Sequence, residues 1–232
     1  MVFRQLLDPE TSTWTYLVGD ERTRDAALID GVREQVERDL ELAAQLDLKL
    51  RFAIETHIHA DHVTSAWIVK ERTGARIVGT RASGATGADV VVEDGGTVQV
   101  GSLVLEARST PGHTDSCTTW VLASEGLAFT GDAVLVRGCG RTDFQQGDAR
   151  RLYRSVHERI FTLPDDTLLY PGHDYRGRTV TTVREERAFN PRLGGGRSEQ
   201  DFVAIMSALK LDPPKRIDVA VPANLTFGRI AS

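Results

Sequence analysis

The chain has 232 residues, and its 28 Lys and Arg against 33 Asp and Glu give a formal net charge of -5 at pH 7. With 41% hydrophobic and 26% charged residues, the composition is globular and excludes a disordered, collagen-like or coiled-coil chain. The mild acidity argues against nucleic acid as a partner, and two cysteines are too few for a disulfide framework, an Fe–S cluster or a cysteine-rich zinc site.

No targeting or membrane-spanning segment is evident in the sequence. Residues 1–10 contain neither an apolar stretch nor an Arg- and Ser-rich amphipathic one, which predicts no signal or transit peptide. The apolar runs are far shorter than the roughly 20 residues that a membrane helix needs. We therefore expect a cytoplasmic protein without a membrane partner.

The predicted secondary structure mixes short strands with amphipathic helices. Strands are predicted where β-branched and aromatic residues form runs bounded by turn residues, and helices where apolar residues recur at helical spacing. In chain order the predicted elements are strands at 13–18 and 26–29 (a hairpin), a helix at 33–46, a strand at 48–55, a helix at 63–73, strands at 76–79, 90–92, 97–100, 103–109, 117–122 and 127–129, and helices at 148–161, 178–188 and 198–209.

Strands interleaved with helices predict an α/β domain in which helices cover buried sheet faces. No linker-like tract and no repeat of 20–50 residues divides the sequence. Residues 1–232 are therefore predicted to form a single domain, with a helical C-terminal part from about residue 178.

Three histidines and an aspartate lie together in the T-H-I-H-A-D-H segment at 56–62, directly after an apolar strand. On an extended segment His57 and His59 point to the same side, and the turn into the next helix brings Asp61 and His62 back towards them. Imidazole and carboxylate groups are good ligands for zinc and iron. This cluster therefore predicts a metal site.

Three further candidate ligands lie in glycine-containing turns at the ends of predicted strands. They are His113 in P-G-H-T, Asp132 in T-G-D and His173 in P-G-H-D. A preceding Gly lets the backbone turn tightly or approach closely, and such loops are where α/β proteins build their sites. The remaining histidine, His157, lies on a predicted helix and is interpreted as a surface or packing residue.

The order H-x-H-x-D-H, P-G-H-T, T-G-D and P-G-H-D over residues 55–175 resembles the metallo-β-lactamase superfamily. The resemblance implies an αββα four-layer sandwich with the metal at one rim of two facing sheets. It does not by itself give a reaction, because this superfamily includes hydrolases, nucleases and oxygenases.

A second set of motifs is similar to the persulfide dioxygenases, the ethylmalonic-encephalopathy protein family, over nearly the whole chain. The motifs are R-G-C-G-R-T-D-F-Q-Q-G-D at 137–148, H-D-Y at 173–175, E-E-R-A-F-N-P-R at 185–192 and V-P-A-N at 221–224. This resemblance implies an enzyme with one Fe(II) per chain that oxidises glutathione persulfide with O2 and water to sulfite and glutathione. Zinc is redox-inert and could not carry out this oxidation.

The same resemblance implies roles for individual residues. The positions that match the iron ligands are His57, His113 and Asp132, a donor set that leaves coordination positions open. The residues expected beside the ligands, or at a vacant second metal position, are His59, Asp61, His62 and His173. The positions that match the glutathione-binding residues are Arg141, Tyr175 and Arg192. Further candidates beside the site are Asp143, Asp174 and Cys139.

Cys139 has two interpretations. Beside an arginine in a glycine-rich loop, it would be a low-pKa thiolate that accepts a sulfane sulfur. Alternatively it is a small buried residue that packs under the site. We favour this interpretation because the sequence places no histidine or helix N-terminus next to it.

Ile58 stands where animal members of the family usually have Cys, and on an extended segment it is expected to point away from the metal.

Two alternative functions compete with the dioxygenase. A dinuclear zinc thioester hydrolase similar to glyoxalase II would use all seven ligand candidates and a bridging hydroxide, and the ligand residues alone do not exclude it. The 137–148 run and the short helical C-terminal part favour the dioxygenase. A non-catalytic sensor of a thiol or metal is disfavoured by the intact ligand set.

The family resemblance is also consistent with a homodimer.

Overall fold

The computed structural model describes residues 1–229. The elements of the first half are β1 (Val2–Asp8), β2 (Thr13–Gly19), β3 (Asp25–Ile29), α1 (Val36–Gln45), β4 (Lys49–Ile54), α2 (Ala66–Thr73), β5 (Arg76–Thr80) and β6 (Val90–Val92). Those of the second half are β7 (Thr97–Val100), β8 (Leu103–Ser109), β9 (Thr118–Leu122), β10 (Leu127–Gly131), α3 (Ala149–Ser155), β11 (Leu168–Pro171), β12 (Thr181–Thr182), α4 (Val183–Phe189), α5 (Glu199–Ser207) and α6 (Ile217–Asn224). A π-helical turn at Val156–Ile160 continues α3.

The strands form two six-stranded sheets. The N-terminal sheet has the order β1-β2-β3-β4-β5-β6, antiparallel up to β3 and parallel from β3 to β6. The C-terminal sheet has the order β12-β11-β10-β9-β8-β7, in which only β10 and β11 run parallel. The parallel pairs β3–β4 and β4–β5 are connected through α1 and α2, because parallel neighbours need a crossover connection.

Side chains alternate between two cores along each central strand, as the period of two in a strand requires. Tyr16 lies in the core between the sheets with Phe129 of β10, whereas Leu17 faces outward to a core shared with Val69 of α2. On the other side, a third core joins the C-terminal sheet to the helices that carry Leu152 and Phe202. The layers are therefore helices, sheet, sheet and helices, and the predicted αββα sandwich is confirmed.

Several predicted boundaries were wrong. β1 was not predicted, because this edge strand is half exposed and lacks clear alternation. Residues 178–182 are not helical: Thr181 pairs with Leu169 in β12, and Thr182 caps α4 by accepting from the Glu185 amide. The helical C-terminal part thus begins at Val183, and it includes α6, which was also not predicted.

The single-domain prediction over 1–232 extends beyond the described residues and stays a prediction. Within residues 1–229, the helices are too short or too polar for any of them to traverse a lipid bilayer.

The topology brings the candidate ligands to one rim of the sandwich. The segment with His57 follows the end of β4, and His113 lies between β8 and β9. Gly131 at the end of β10 pairs with Pro171 at the end of parallel β11, so the residues that follow these two strands emerge side by side.

Candidate metal centre

His57, His113 and Asp132 meet at this rim. Each offers one ligand atom, and the three atoms lie within 4.8 Å of one another. Gly131, with φ +49, makes the turn before Asp132; a Cβ there would lie 2.5 Å from Thr56 Oγ1. The glycine of the T-G-D motif is therefore needed both for its conformation and for its close approach to the strand end beside it.

Hydrogen bonds to the outer ring nitrogens orient the two histidines. Thr56 Oγ1 lies 2.9 Å from His57 Nδ1, and the carbonyl oxygen of Arg141 lies 2.6 Å from His113 Nδ1. Because a carbonyl oxygen only accepts, His113 Nδ1 carries the proton of this hydrogen bond, and Nε2 is the ring nitrogen that remains for a metal ion. This is the arrangement that metal-binding histidines show.

Charge and burial favour the ionisation states that a cation needs. Burial and the neighbouring His59 hold the pKa of His57 well below its usual value, which keeps the ring neutral. Burial opposes ionisation of Asp132, but the charge and hydrogen bond of His173 outweigh it and hold the pKa of Asp132 well below its usual range. Two imidazoles and a carboxylate fit a divalent metal ion.

A second group, His59, Asp61 and His62, lies beside the first, again with ligand atoms within 4.8 Å of one another. The rings of His57 and His59 are 4.0 Å apart, consistent with two side chains on one side of an extended segment. Among the described residues, His59 Nδ1 and His62 Nε2 are buried without a hydrogen-bond partner. Such atoms are costly unless water or an ion satisfies them, so this donor set also accommodates a second ion.

His173 connects the two groups. Its Nδ1 lies 2.7 Å from Asp132 Oδ1 and its Nε2 lies 3.1 Å from Asp61 Oδ2. Although burial acts in the opposite direction, the two carboxylates raise the pKa of His173 well above its usual value. With both ring nitrogens engaged by carboxylates, His173 orients Asp132 in this arrangement and offers no free ligand atom.

Asp30 is a residue of the site that was not predicted. Its buried carboxylate accepts hydrogen bonds from the amide and hydroxyl of Thr56, at 2.7 and 2.8 Å, and lies 3.2 Å from His59 Nε2. It therefore supports both His57, through Thr56, and His59. In the sequence, Asp30-Gly31 indicated only a turn. In the structure, Asp30 has a left-handed φ of 52° and lies at a strand end beside the site.

A cavity of about 740 Å³ opens onto the metal centre. Five arginines line it, namely Arg137, Arg141, Arg176, Arg178 and Arg192. Three of them form ion pairs, Arg137 with Glu185 and Glu186, Arg141 with Asp143, and Arg178 with Asp174. Within residues 1–229, Arg176 and Arg192 have no carboxylate partner.

Arg141 forms part of the cavity wall. The Arg141 guanidinium binds Asp143 through two hydrogen bonds of 2.7 and 2.8 Å and donates to the carbonyl oxygens of Asp212 and Leu211 at 2.6 and 3.2 Å. Most of its five N–H donors are thereby used by the chain itself. Here Arg141 holds the segment 208–216 beside the cavity, and its contact with glutathione stays a prediction.

The other predicted substrate residues do face the cavity. Tyr175 is 73% exposed, and its ring is parallel to that of His173 with the centroids 6.1 Å apart. Arg192 Nη1 donates to the Cys139 carbonyl oxygen at 3.0 Å, which leaves most of its donors for a ligand. Asp174 is buried and accepts from the amides of Arg176 and Arg178, at 2.7 Å each, so it shapes the loop that carries them.

Cys139 lines the cavity wall but is 4% exposed, with its Sγ 3.8 Å from Met206 Sδ. Burial raises the pKa of Cys139 to about 11, despite the opposing effect of Arg192. The site thus holds a neutral, small buried thiol and not a low-pKa thiolate.

His157 lies in the helical layer, stacked on Tyr153 with ring centroids 3.9 Å apart.

Known proteins are similar to this chain in sequence and fold. Residues 8–173 match the family model of the Metallo-beta-lactamase superfamily, the class that the paired sheets and histidine-rich rim define. Persulfide dioxygenase ETHE1, mitochondrial, from Homo sapiens is 52% identical over 229 residues, 98% of this chain and 89% of that protein. The crystal structure of ETHE1 from Myxococcus xanthus matches with a TM-score of 0.95 and 54% identity, over 99% of this chain and 100% of that one. The chain therefore belongs to the persulfide dioxygenase family of the metallo-β-lactamase superfamily.

The resemblance to glyoxalase II is partial by comparison. A hydroxyacylglutathione hydrolase from Methylobacterium nodulans is 40% identical over 129 residues, only 55% of this chain and 49% of that protein. The predicted family, fold and enzyme class are confirmed.

Proposed function

We propose that this persulfide dioxygenase uses one Fe(II) per chain and acts on glutathione persulfide, which O2 and water convert to glutathione and sulfite with release of two protons. The observation that carries the proposal is the donor set of His57, His113 and Asp132 at a cavity whose wall includes arginines without a carboxylate partner within residues 1–229. The enzyme class follows from the family; the metal and the thiol carrier are the proposal.

A bound Fe(II) would supply open coordination positions and the redox chemistry that O2 requires. The chain's own residues prepare the ligands for it. Thr56 and the Arg141 carbonyl hold the histidine rings in place, and His173 fixes the Asp132 carboxylate. Ligands held in this way lose little conformational freedom when the ion binds.

Glutathione persulfide carries two carboxylates, which planar guanidinium groups bind through paired hydrogen bonds. Arg192 and Arg176 line the cavity without a carboxylate partner among the described residues, so we assign them to these carboxylates. Tyr175, at the cavity mouth, is assigned to the peptide part of the substrate. The cavity volume of about 740 Å³ suits a small-molecule ligand of tripeptide size.

Anaerobic loading of the purified protein with Fe(II), followed by addition of glutathione persulfide and O2, tests this proposal. The expected result is consumption of one O2 for each sulfite formed, with no turnover by zinc-loaded protein. Zinc-loaded protein that hydrolyses S-lactoylglutathione, together with iron-loaded protein that consumes no O2, would support the glyoxalase II-like alternative instead.

The location and the partners stay predictions. We propose a cytoplasmic homodimer without nucleic-acid or membrane partners, as the composition and the resemblance suggest. Sedimentation of the purified protein and fractionation of the source cells would test these points.

A further inference from the structure

The V-P-A-N motif at 221–224 reaches the metal centre from the other end of the chain. Asn224, the last residue of α6, is 2% exposed. Its Nδ2 donates to the carbonyl oxygens of His59 and His62, both at 2.9 Å, and its Oδ1 accepts from the Thr64 amide at 2.9 Å. Two acceptors on one side and a donor on the other leave only one orientation for the amide.

The segment 57–62 depends on such contacts because it forms neither helix nor strand. Its backbone groups still need partners where they are buried, and side chains from distant parts of the chain provide them. Ser116 Oγ accepts from the Ile58 amide at 3.1 Å, and Gln145 Nε2 donates to the Ile58 carbonyl oxygen at 2.8 Å. Asn224 is the member of this group that binds the backbone of both His59 and His62.

Close packing fixes the position of Asn224 itself. The Trp67 amide donates to the Phe227 carbonyl oxygen at 3.0 Å, and the Phe227 side chain is 1% exposed. Gly228 has φ +76, and a Cβ there would lie 2.3 Å from the Thr64 carbonyl oxygen. The residues after α6 therefore lie directly against the residues that follow the metal-binding segment.

We propose that Asn224 is a positioning residue of the metal centre: its amide clamps the His59 and His62 carbonyls and thereby holds the backbone of 57–62 in the conformation that presents His57. The physical basis is that each buried carbonyl has one donor, and loss of that donor leaves it unsatisfied until the backbone moves. The proposal requires a metal centre at His57, but it does not depend on which metal binds or on the reaction.

Two substitutions separate the contributions of the amide. Asn224→Asp keeps the shape and the acceptor for the Thr64 amide but sets a carboxylate oxygen against two carbonyl oxygens, whereas Asn224→Ala removes all three hydrogen bonds. Thr226→Ala is the matched control, because in the described part of the chain its hydroxyl bonds only to carbonyl oxygens of the same segment, those of Ala223 and Arg229. All variants are made in the full chain.

Competition with a chromophoric chelator measures the retention of Fe(II) and, separately, of Zn(II). We expect both Asn224 variants to bind either ion about 10- to 100-fold more weakly, the usual effect of losing a group that orients a ligand, with Thr226→Ala unchanged. Folded Asn224 variants that retain both ions as tightly as the wild type overturn the proposal. If iron-loaded wild type shows no dioxygenase activity while this difference in retention persists, the proposed function fails and Asn224 keeps its role.

Melting temperatures with and without metal separate positioning from general stability. A purely structural role lowers the melting temperature of the metal-free variant and leaves the metal-induced rise intact, because that rise depends on affinity. A positioning role makes the rise smaller than in the wild type. Asn224 variants with a lower metal-free melting temperature and a full metal-induced rise therefore also overturn the proposal.

Discussion

The Nδ1 atom of His113 donates a 2.6 Å hydrogen bond to the carbonyl oxygen of Arg141, so the loop that carries a cavity arginine also orients a metal ligand. The same loop is held from the other side, since the Arg141 guanidinium binds Asp143 and the segment 208–216. The position of the cavity wall and the direction of the His113 ring are therefore not independent.

Substitution of Gly140 is expected to disturb this relationship directly. A Cβ at Gly140 would lie 2.7 Å from His113 Nδ1 and 2.8 Å from the Asp132 carbonyl oxygen, whereas at Gly138 the nearest atom would be 3.8 Å away. Gly140→Ala should therefore lower metal retention by about tenfold or more, while Gly138→Ala serves as the control. Chelator competition checks both variants, and equal retention would show that the His113 ring tolerates the displacement.

The ligand assignment predicts unequal effects of two substitutions in the metal centre. Asp132→Ala should abolish iron retention because it removes one of three donors, whereas His59→Ala should leave much of it. Metal content per chain after anaerobic loading and desalting is the measurement. Equal losses, together with two ions per wild-type chain, would favour a dinuclear site.

Glutathione persulfide binding should depend on the arginines without a carboxylate partner. Arg192→Ala and Arg176→Ala are each expected to raise KM by about 10- to 100-fold with a smaller effect on kcat, since a hydrogen bond to a charged group contributes about 1.5–3 kcal/mol. Arg154→Ala is a suitable control, because this residue binds Glu199 on the surface. An unchanged KM for Arg192→Ala would remove that residue from the substrate site.

The thiols should be inert in the folded protein. Burial raises the pKa of Cys139 to about 11 and that of Cys117 to about 12. Since folding raises both values above the usual 9.0, the two groups favour the folded state below pH 9 and lose this contribution as pH rises towards the folded-state values. A thiol-reactive chromophore at pH 8 is expected to label neither cysteine in native protein and both in denaturant.

Rapid labelling of one native thiol, absent from Cys139→Ser, would contradict this prediction and return Cys139 to consideration as a sulfur acceptor. The control is Cys117→Ser, which should leave such labelling unaffected.

The sequence was informative where neighbouring residues act together. His57, His59, Asp61 and His62 share one short segment. Strand periodicity indicated that the first two converge, and the expected turn into the next helix indicated the same for the other two. Asp30 was not singled out, and Asn224 was noted only within the V-P-A-N motif and given no role, because each meets the site only through the fold. His59 is 29 residues from Asp30 and 165 residues from Asn224 along the chain. A single sequence carries no signal for such pairs.

Arg141 illustrates a different limit. The resemblance implied a glutathione-binding arginine, which stays a prediction, whereas its partners within the chain depend on which groups the fold brings within reach of the guanidinium. Asp143 is only two residues away, and the carbonyls of 211 and 212 are brought in by the course of the chain after α5. Similarly, β1 became recognisable only through its pairing with β2.

The donor atoms at the rim belong to different sheets, with His57 following β4 and Asp132 following β10. Their separation is therefore set by how one sheet rests on the other, and Tyr16 spans that boundary by donating from β2 to the Pro171 carbonyl oxygen at 2.6 Å, two residues before His173. The aromatic core between the sheets therefore determines how far apart the donor atoms of the two sheets lie. A substitution in this core would change the spacing of the donor atoms before it unfolds the protein. Damage deep between the sheets should therefore first appear as a well-folded protein that has lost its metal.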